Sequence, residues 1–290
     1  MTSEPVVDWA AARSEKWRRH LAGLEAMLAP IDEPLLITAL ALNAPVRIAD
    51  LGCGSGATTM EVLRRAPSGS VAHGLDLSPA LIEVARRRHG AHHPSVSFEV
   101  ADIETMAPPE QLYDRLISRL GIMFFSDPLA AFANLRRWLV RGGRLAFAVW
   151  APVDDNPWMT ATRAAVAEAI DLPPIEPSAP GPFRYGDVTP LLALLARAGF
   201  VNVTVTDWRQ ALPIGNRLPT PDAAQFALAS FSSFAELLSN AGGDAPAKAR
   251  DVLAARFTPY EQDGVVLTPC PGPHHHGASR RTLNEGELAR

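Results

Sequence analysis

The residues best placed to do chemistry stand in one run, I-A-D-L-G-C-G-S-G-A-T-T, residues 48–59. Gly52 and Gly54 let a backbone turn tightly and lie against a ligand, and Gly56 lets the next helix pack close to the strand. Thr58 and Thr59 fall in the first helical turn. Gly52 to Ala57 also satisfy the dinucleotide pattern G-x-G-x-x-G/A. Asp50 separates the two kinds of ligand. A dinucleotide puts a pyrophosphate at the helix start, where the positive helix end welcomes it. A carboxylate just before the first glycine is a poor neighbour for phosphates and a good one for an ammonium group. A second acid, Asp76 in G-L-D-L-S-P at 74–79, follows Gly56 by 20 residues. An acid at a strand end can accept both hydroxyls of a ribose. Its other reading is a cap for the helix opened by Ser78-Pro79, but Ser78 is itself a good N-cap. The ribose role is favoured.

These residues need elements to hold them. Residues 9–28 read as an amphipathic helix, with Trp17, Leu21, Leu24 and Leu28 at helical spacing and Pro30 as its stop. Residues 32–42 read as a second helix, with Asp32 as N-cap and Pro34 in the first turn. Then strand candidates at 46–51, 70–75, 96–100, 115–118, 144–150 and 201–207 alternate with helices at 57–65, 78–89, 128–139 and 187–199. That alternation predicts an α/β fold with a parallel sheet covered on both faces. Two stretches interrupt it: proline-rich 151–186, and 219–258, which reads as helices at 221–240 and 245–257. Both follow a strand, at the sheet end where ligands bind, so both are expected to cover a substrate.

The composition sets bounds. Hydrophobic residues are 47% and charged residues 20%, as in a globular domain with a sizeable core. A net charge of -4 gives no basic stripe for nucleic acid, and Arg86-Arg87-Arg88 reads as a solvated helix face. Two cysteines argue against a disulfide framework and fit a reducing compartment. No stretch reads as a signal peptide or membrane span, so the expectation is a cytoplasmic protein.

Several motifs now fall in one order: D-L-G-C-G-S-G at 50–56, G-L-D-L-S at 74–78, V-A-D-I-E at 100–104, Y-D-R-L-I-S-R-L-G-I-M-F-F-S-D-P at 113–128 and R-G-G-R-L-A-F-A-V-W at 141–150. Together they resemble class I S-adenosylmethionine-dependent methyltransferases, nearest to the bacterial ubiquinone/menaquinone-biosynthesis type. W-A-A-A-R-S-E-K-W-R-R-H at 9–20, M-L-A-P at 27–30, D-N-P-W-M at 155–159 and A-P-G-P-F at 179–183 extend the likeness to about residues 8–267. The resemblance implies a Rossmann-like seven-stranded sheet with helical N-terminal and cover segments. It implies S-adenosyl-L-methionine as cofactor and a small-molecule methyl acceptor. Asp50 is then expected by the methionine ammonium, and Gly52, Cys53 and Gly54 against the cofactor. Asp76 takes the ribose, and Leu77 packs on adenine. Asp102 accepts from the adenine amino group, with Ala101 and Ile103 around the ring. Ser118 and Arg119 contact the methionine end, and Met123 and Phe124 face the site.

Methyl transfer from a sulfonium is an in-line displacement and needs a general base only if the acceptor loses a proton. His20, on the helix the family folds near the cofactor, is the first candidate. Asp154, Asp155 and Tyr185 on the cover are others. His73 reads as structural, and His92 and His93 lie at the amino ends of the strands. Trp150, Trp158 and Phe183 read equally as an apolar acceptor wall or as core. His274-His275-His276 lacks metal-ligand spacing, and no metal is expected. Cys53 fills a place that needs a small residue. The competing functions are a non-catalytic S-adenosylmethionine-binding relic and an NAD(P)-dependent oxidoreductase.

The resemblance departs at its end. The family's seventh strand enters antiparallel between strands five and six and begins like Asp263-Gly264-Val265-Val266-Leu267. Pro269, Pro271 and Pro273 follow, and proline is hardly tolerated inside a sheet. The expectation is therefore a truncated last strand, a disordered tail at 269–290, and fifth and sixth strands short of a partner. The organisation expected is a helical segment at 1–43, a methyltransferase domain at 44–268, and that tail.

Overall fold

The computed structural model describes residues 15–40, 44–90, 93–174, 179–231, 233–268 and 278–284. Strand β1 (Arg47–Leu51) is almost wholly buried, as expected of a parallel strand covered on both faces. It pairs in parallel with β2 (Val71–Asp76) on one side and β4 (Tyr113–Arg119) on the other. Strand β3 (Val96–Val100) extends the sheet beside β2, and β5 (Leu139–Trp150) extends it beside β4. The order β3-β2-β1-β4-β5 reverses direction between β1 and β4. That reversal opens a crevice at the carboxyl ends of the strands.

The parallel part thus has five strands, not seven. The sheet continues through two antiparallel ladders, in which β10 (Ala278–Asn284) lies between β5 and β6 (Thr204–Gln210). This corrects two expectations. Residues 263–267 do not start the strand between β5 and β6. Instead β9 (Val265–Thr268) forms a small separate sheet with β7 (Leu212–Pro213) and β8 (Glu261–Gln262). Part of the tail expected to be disordered fills the place, because a ladder is made by backbone groups and residues 278–284 contain no proline. The other tail residues, His274-His275-His276 among them, lie outside the described residues.

The helices begin where local chemistry lets them. Residues 15–19 are helical, and α1 (Leu21–Leu28) follows, burying Leu21, Leu24, Met27 and Leu28. The expected start of that helix, residues 9–14, lies outside the described residues. Helix α2 is Asp32–Ala39, and α3 is Ala57–Arg65, opening straight after Gly56. Ser78 caps α4 (Pro79–Ala85) and Asp127 caps α5 (Pro128–Arg136), each accepting a backbone N–H. Helices α6 (Pro157–Ala167) and α7 (Val188–Arg197) follow β5. The helix expected over 221–240 is two, α8 (Thr220–Ser230) and α9 (Phe234–Ala241), since Phe231 turns extended. Helix α10 is Ala245–Phe257. Strand β6 starts later than expected because Asn202 adopts a left-handed φ of 55°.

Helices cover both faces of the sheet. Trp138, Phe132 and Phe147 anchor one buried cluster, and Leu36, Ile48, Val62 and Ile82 anchor the other. Among the described residues no helix is long and apolar enough to cross a membrane.

Candidate functional site

The glycine-rich loop leaves β1 and passes over the end of β2. The Gly52 and Cys53 amides both donate to the Leu75 carbonyl, at 2.8 and 3.0 Å. Gly52 takes a φ of 72° and Gly54 one of 57°, conformations that favour glycine. A second loop leans on the first from behind. A Cβ on Gly52 would lie 3.0 Å from the Gly121 Cα, and one on Gly121 would lie 2.6 Å from the Leu51 carbonyl oxygen. The Ser118 hydroxyl holds the two loops together, donating to Leu51 O at 2.7 Å and accepting from the Gly121 amide at 3.2 Å. Leu120, between them, is held at a φ of 65°, a strained conformation for a bulky residue.

Three acids lie at or just past the ends of three neighbouring strands. Asp50 is 1% exposed. Its Oδ2 accepts from the Thr59 hydroxyl at 2.7 Å, while its buried Oδ1 has no hydrogen-bond partner. Burial pushes this carboxyl up to about 7, with Thr59 and Arg119 opposing the shift and Asp32 and Asp76 adding to it. The Asp76 carboxylate faces the loop: Oδ2 accepts from the Gly54 amide and Oδ1 from the Ser78 amide, both at 2.8 Å. Burial raises its pKa as well, against the pull of those amides. Each of its oxygens keeps capacity for a further bond. Leu77, next to it, is 53% exposed. Asp102 is exposed and turned onto its own loop, accepting from the Glu104 amide at 3.0 Å and the Thr105 hydroxyl at 2.8 Å. Ala101 and Ile103 beside it are buried.

The N-terminal helices close over this loop. The Trp17 indole nitrogen lies 4.0 Å from where a Gly54 Cβ would stand. Glu25 accepts from the Ser55 hydroxyl and pairs with Arg88 at 2.9 Å, so α1 is tied to the loop. Lys16 reaches Glu236 on α9 at 2.6 Å. His20 meets the edge of Phe226 on α8 at 5.9 Å, and burial lowers its pKa. From there rings run in sequence. Phe226 meets Phe231, Phe231 meets Trp158 at 4.6 Å, and Trp158 meets both Trp150 at 4.7 Å and Phe183 at 5.9 Å. These rings form one continuous run from His20, in which Trp150 and Trp158 belong to the buried core and Phe183 packs against it.

Other candidates fall elsewhere. Met123 is buried in the core, and the Gly181 amide donates to its carbonyl. Tyr185 is buried, and its pKa is pushed up to about 12. Asp155 pairs with Arg209 at 3.8 Å. His73 bonds Arg47 and Tyr113 within the sheet, and burial pushes it down to about 4. His93 lines a groove of about 520 Å³ by Met60 and Ser70, at the opposite end of the strands. His92 lies outside the described residues. The Cys53 thiol is buried, which pushes its pKa up.

Asp32 departs from the sequence reading. It does not cap its helix. It accepts from the Thr58 hydroxyl at 2.9 Å and pairs with Arg119 at 3.1 Å. No local pattern signals this, because its partners come from α3 and from the end of β4.

Five parallel strands, a glycine loop at the switch point and acids at or just past the ends of β1, β2 and β3 define a Rossmann-like domain. Residues 48–143 match the family model described as a methyltransferase domain. The chain is 34% identical over 115 residues to a malonyl-[acyl-carrier protein] O-methyltransferase of Halalkalibacterium halodurans, covering 39% of this chain and 42% of that one. It is 30% identical over 110 residues to a demethylmenaquinone methyltransferase of Deinococcus radiodurans, covering 38% of this chain and 45% of that one. The chain thus spans less than half the length of these curated relatives. In fold it is similar to a methyltransferase described from an antibiotic biosynthesis pathway of Anabaena variabilis (TM-score 0.59, 17% identity, 88% and 96% of the two chains). It is also similar to a Haemonchus contortus phosphoethanolamine N-methyltransferase in complex with S-adenosyl-L-methionine (TM-score 0.51, 15% identity, 90% and 53%).

Proposed function

We propose that this protein transfers a methyl group from S-adenosyl-L-methionine to a small-molecule acceptor by in-line displacement. The observation that carries the reading is the Asp50 Oδ1 oxygen, buried at the loop and bonded to nothing. A buried carboxylate oxygen without a partner is costly unless a ligand satisfies it. An ammonium does so, whereas a pyrophosphate would be repelled, so an NAD(P)-dependent oxidoreductase is not favoured.

The residues present fit the cofactor. Asp50 would hold its ammonium and Asp76 its ribose hydroxyls. Leu77, Ala101, Asp102 and Ile103 would hold adenine. Gly52, Cys53 and Gly54 would lie along it, with Ser118 and Arg119 toward its methionine end. When bound, it supplies an electrophilic methyl group on a sulfonium whose departure leaves a neutral thioether. The protein's share is then alignment, which can lower a barrier by about 7–11 kcal/mol. Helix α1 and the aromatic run exclude water from the crevice. His20, whose neutral form its partial burial favours, would take a proton from an acceptor that must lose one. In this reading the segments 151–186 and 219–258 cover the substrate, residues 1–43 form a separate N-terminal helical segment, and the protein works in the cytoplasm.

Calorimetric titration with S-adenosylhomocysteine, beside Asp76→Ala and an NAD control, tests the reading. Micromolar binding, about -8 kcal/mol, is expected for the first ligand, with a loss of about tenfold or more in the variant. Folded protein that binds NAD instead, or neither ligand, overturns it. Cofactor binding without methyl transfer to any acceptor would leave the non-catalytic relic.

A further inference from the structure

We propose that Asp32 is a positioning residue of the cofactor's amino-acid pocket, holding the Arg119 guanidinium beside Asp50 so that a cation and a carboxylate await the two charged groups of an α-amino acid. The proposal rests on the methyltransferase reading. It concerns a residue of the N-terminal helical segment, outside the matched domain.

The arrangement joins three elements. Asp32 opens α2, and Thr58 and Thr59 lie in the first turn of α3. Arg119 ends β4, two residues past Ile117, the register partner of Asp50 on β1. Asp32 Oδ1 accepts from Thr58 at 2.9 Å, Asp32 Oδ2 pairs with Arg119 at 3.1 Å, and Asp50 Oδ2 accepts from Thr59 at 2.7 Å. The Asp32 and Arg119 side chains are each only 11% exposed. A pair held this far from water stabilises a fold little, because desolvation offsets the attraction. It does fix a guanidinium in place. A guanidinium has five N–H groups in a planar fork that matches a carboxylate. Asp50, with its bare Oδ1, lies within reach of the Arg119 charge. One cation and one unsatisfied carboxylate oxygen therefore stand together at the carboxyl ends of adjacent strands. That is the complement of a zwitterionic amino acid, and Asp32 supplies the charge that keeps the cation there.

The test compares two ligands that share the adenosine thioether end. S-adenosylhomocysteine carries the amino-acid group, and 5′-methylthioadenosine lacks it. Both are titrated into the full-length wild type and Asp32→Asn. Expected is a loss of about tenfold or more for S-adenosylhomocysteine in the variant, with 5′-methylthioadenosine unchanged within about twofold. Equal losses for both ligands would mean that Asp32 only supports the fold, and no loss for either would mean that it does not position Arg119; each overturns the proposal. If Asp32→Asn does not fold, Arg119→Gln carries the test, since it leaves Thr58 bonded to Asp32, and the same selective loss is expected. Failure of the underlying reading looks different: the wild type itself would bind neither ligand.

Discussion

Asp50 is held almost entirely away from water, and burial pushes its carboxyl from an ordinary 3.8 up to about 7. In the ligand-free protein the folded state holds this proton better than the unfolded chain does. The native state must give it up as pH rises, so this group costs stability from about pH 4 upward, fully so above about 7. A bound ammonium reverses the preference, because it needs the carboxylate. Affinity for S-adenosylhomocysteine should therefore rise between about pH 6 and pH 8, by up to about tenfold per unit on the acid side. Arg119, Asp32 and Asp76 also act on Asp50; in the proposed reading Asp76 would hold the ribose, which both ligands share, and so would move both alike. Calorimetry across that range checks this, with the affinity for S-adenosylhomocysteine relative to 5′-methylthioadenosine expected to rise and Asp50→Asn to lose that rise. A flat wild-type profile would place the ammonium away from Asp50.

At the scale of elements, the glycine loop works because a second loop fits behind it. A methyl group at Gly121 would meet the Leu51 carbonyl oxygen at 2.6 Å and the Gly52 Cα at 3.2 Å, both backbone atoms that cannot swing aside. Gly121→Ala should cost about 1–3 kcal/mol by overpacking, and weaken S-adenosylhomocysteine as Gly52 shifts. Gly181→Ala is the control, since its nearest neighbour would lie at 3.8 Å. Thermal melts and titration of both variants decide it; equal melting temperatures would mean that the loops separate freely. The contrast also shows why part of the site was legible in sequence. Asp50, the glycines, Asp76 and Leu77 lie in short runs whose spacing fixes their geometry, and helix 57–65 was read to its ends. Gly121 carries no local signal of its role, since its partner is another loop. Asp32 reads as a cap in sequence because its true partners lie 26 and 87 residues away. Local pattern does not report such contacts.

At the scale of the molecule, the feature least legible in sequence is the strand that completes the sheet. Residues 278–284, A-S-R-R-T-L-N, show no run of alternating large apolar residues, and three prolines at 269, 271 and 273 precede them. Apolar periodicity is the main signal for a strand, so this one reads as tail. What places it is backbone pairing: Arg280 to Leu283 stand opposite residues of β5, and Ala278 to Asn284 opposite residues of β6. Strand β6 has no other partner in the large sheet among the described residues. Removing β10 would therefore leave two unpaired edges and detach β6 from the parallel strands, where bare edges invite association. A chain ending at Thr268 should melt many degrees lower than the full chain and self-associate in sedimentation. Thr282→Pro should do the same more mildly. Thr282 faces Ala148 on one side and Thr206 on the other, so its lost N–H is missed by one ladder or the other. The proline variant separates a strand from a tail, because a single missing N–H matters only to a ladder. Full stability and a monomeric state in both variants would return these residues to the role of a tail and leave β5 and β6 without the strand between them.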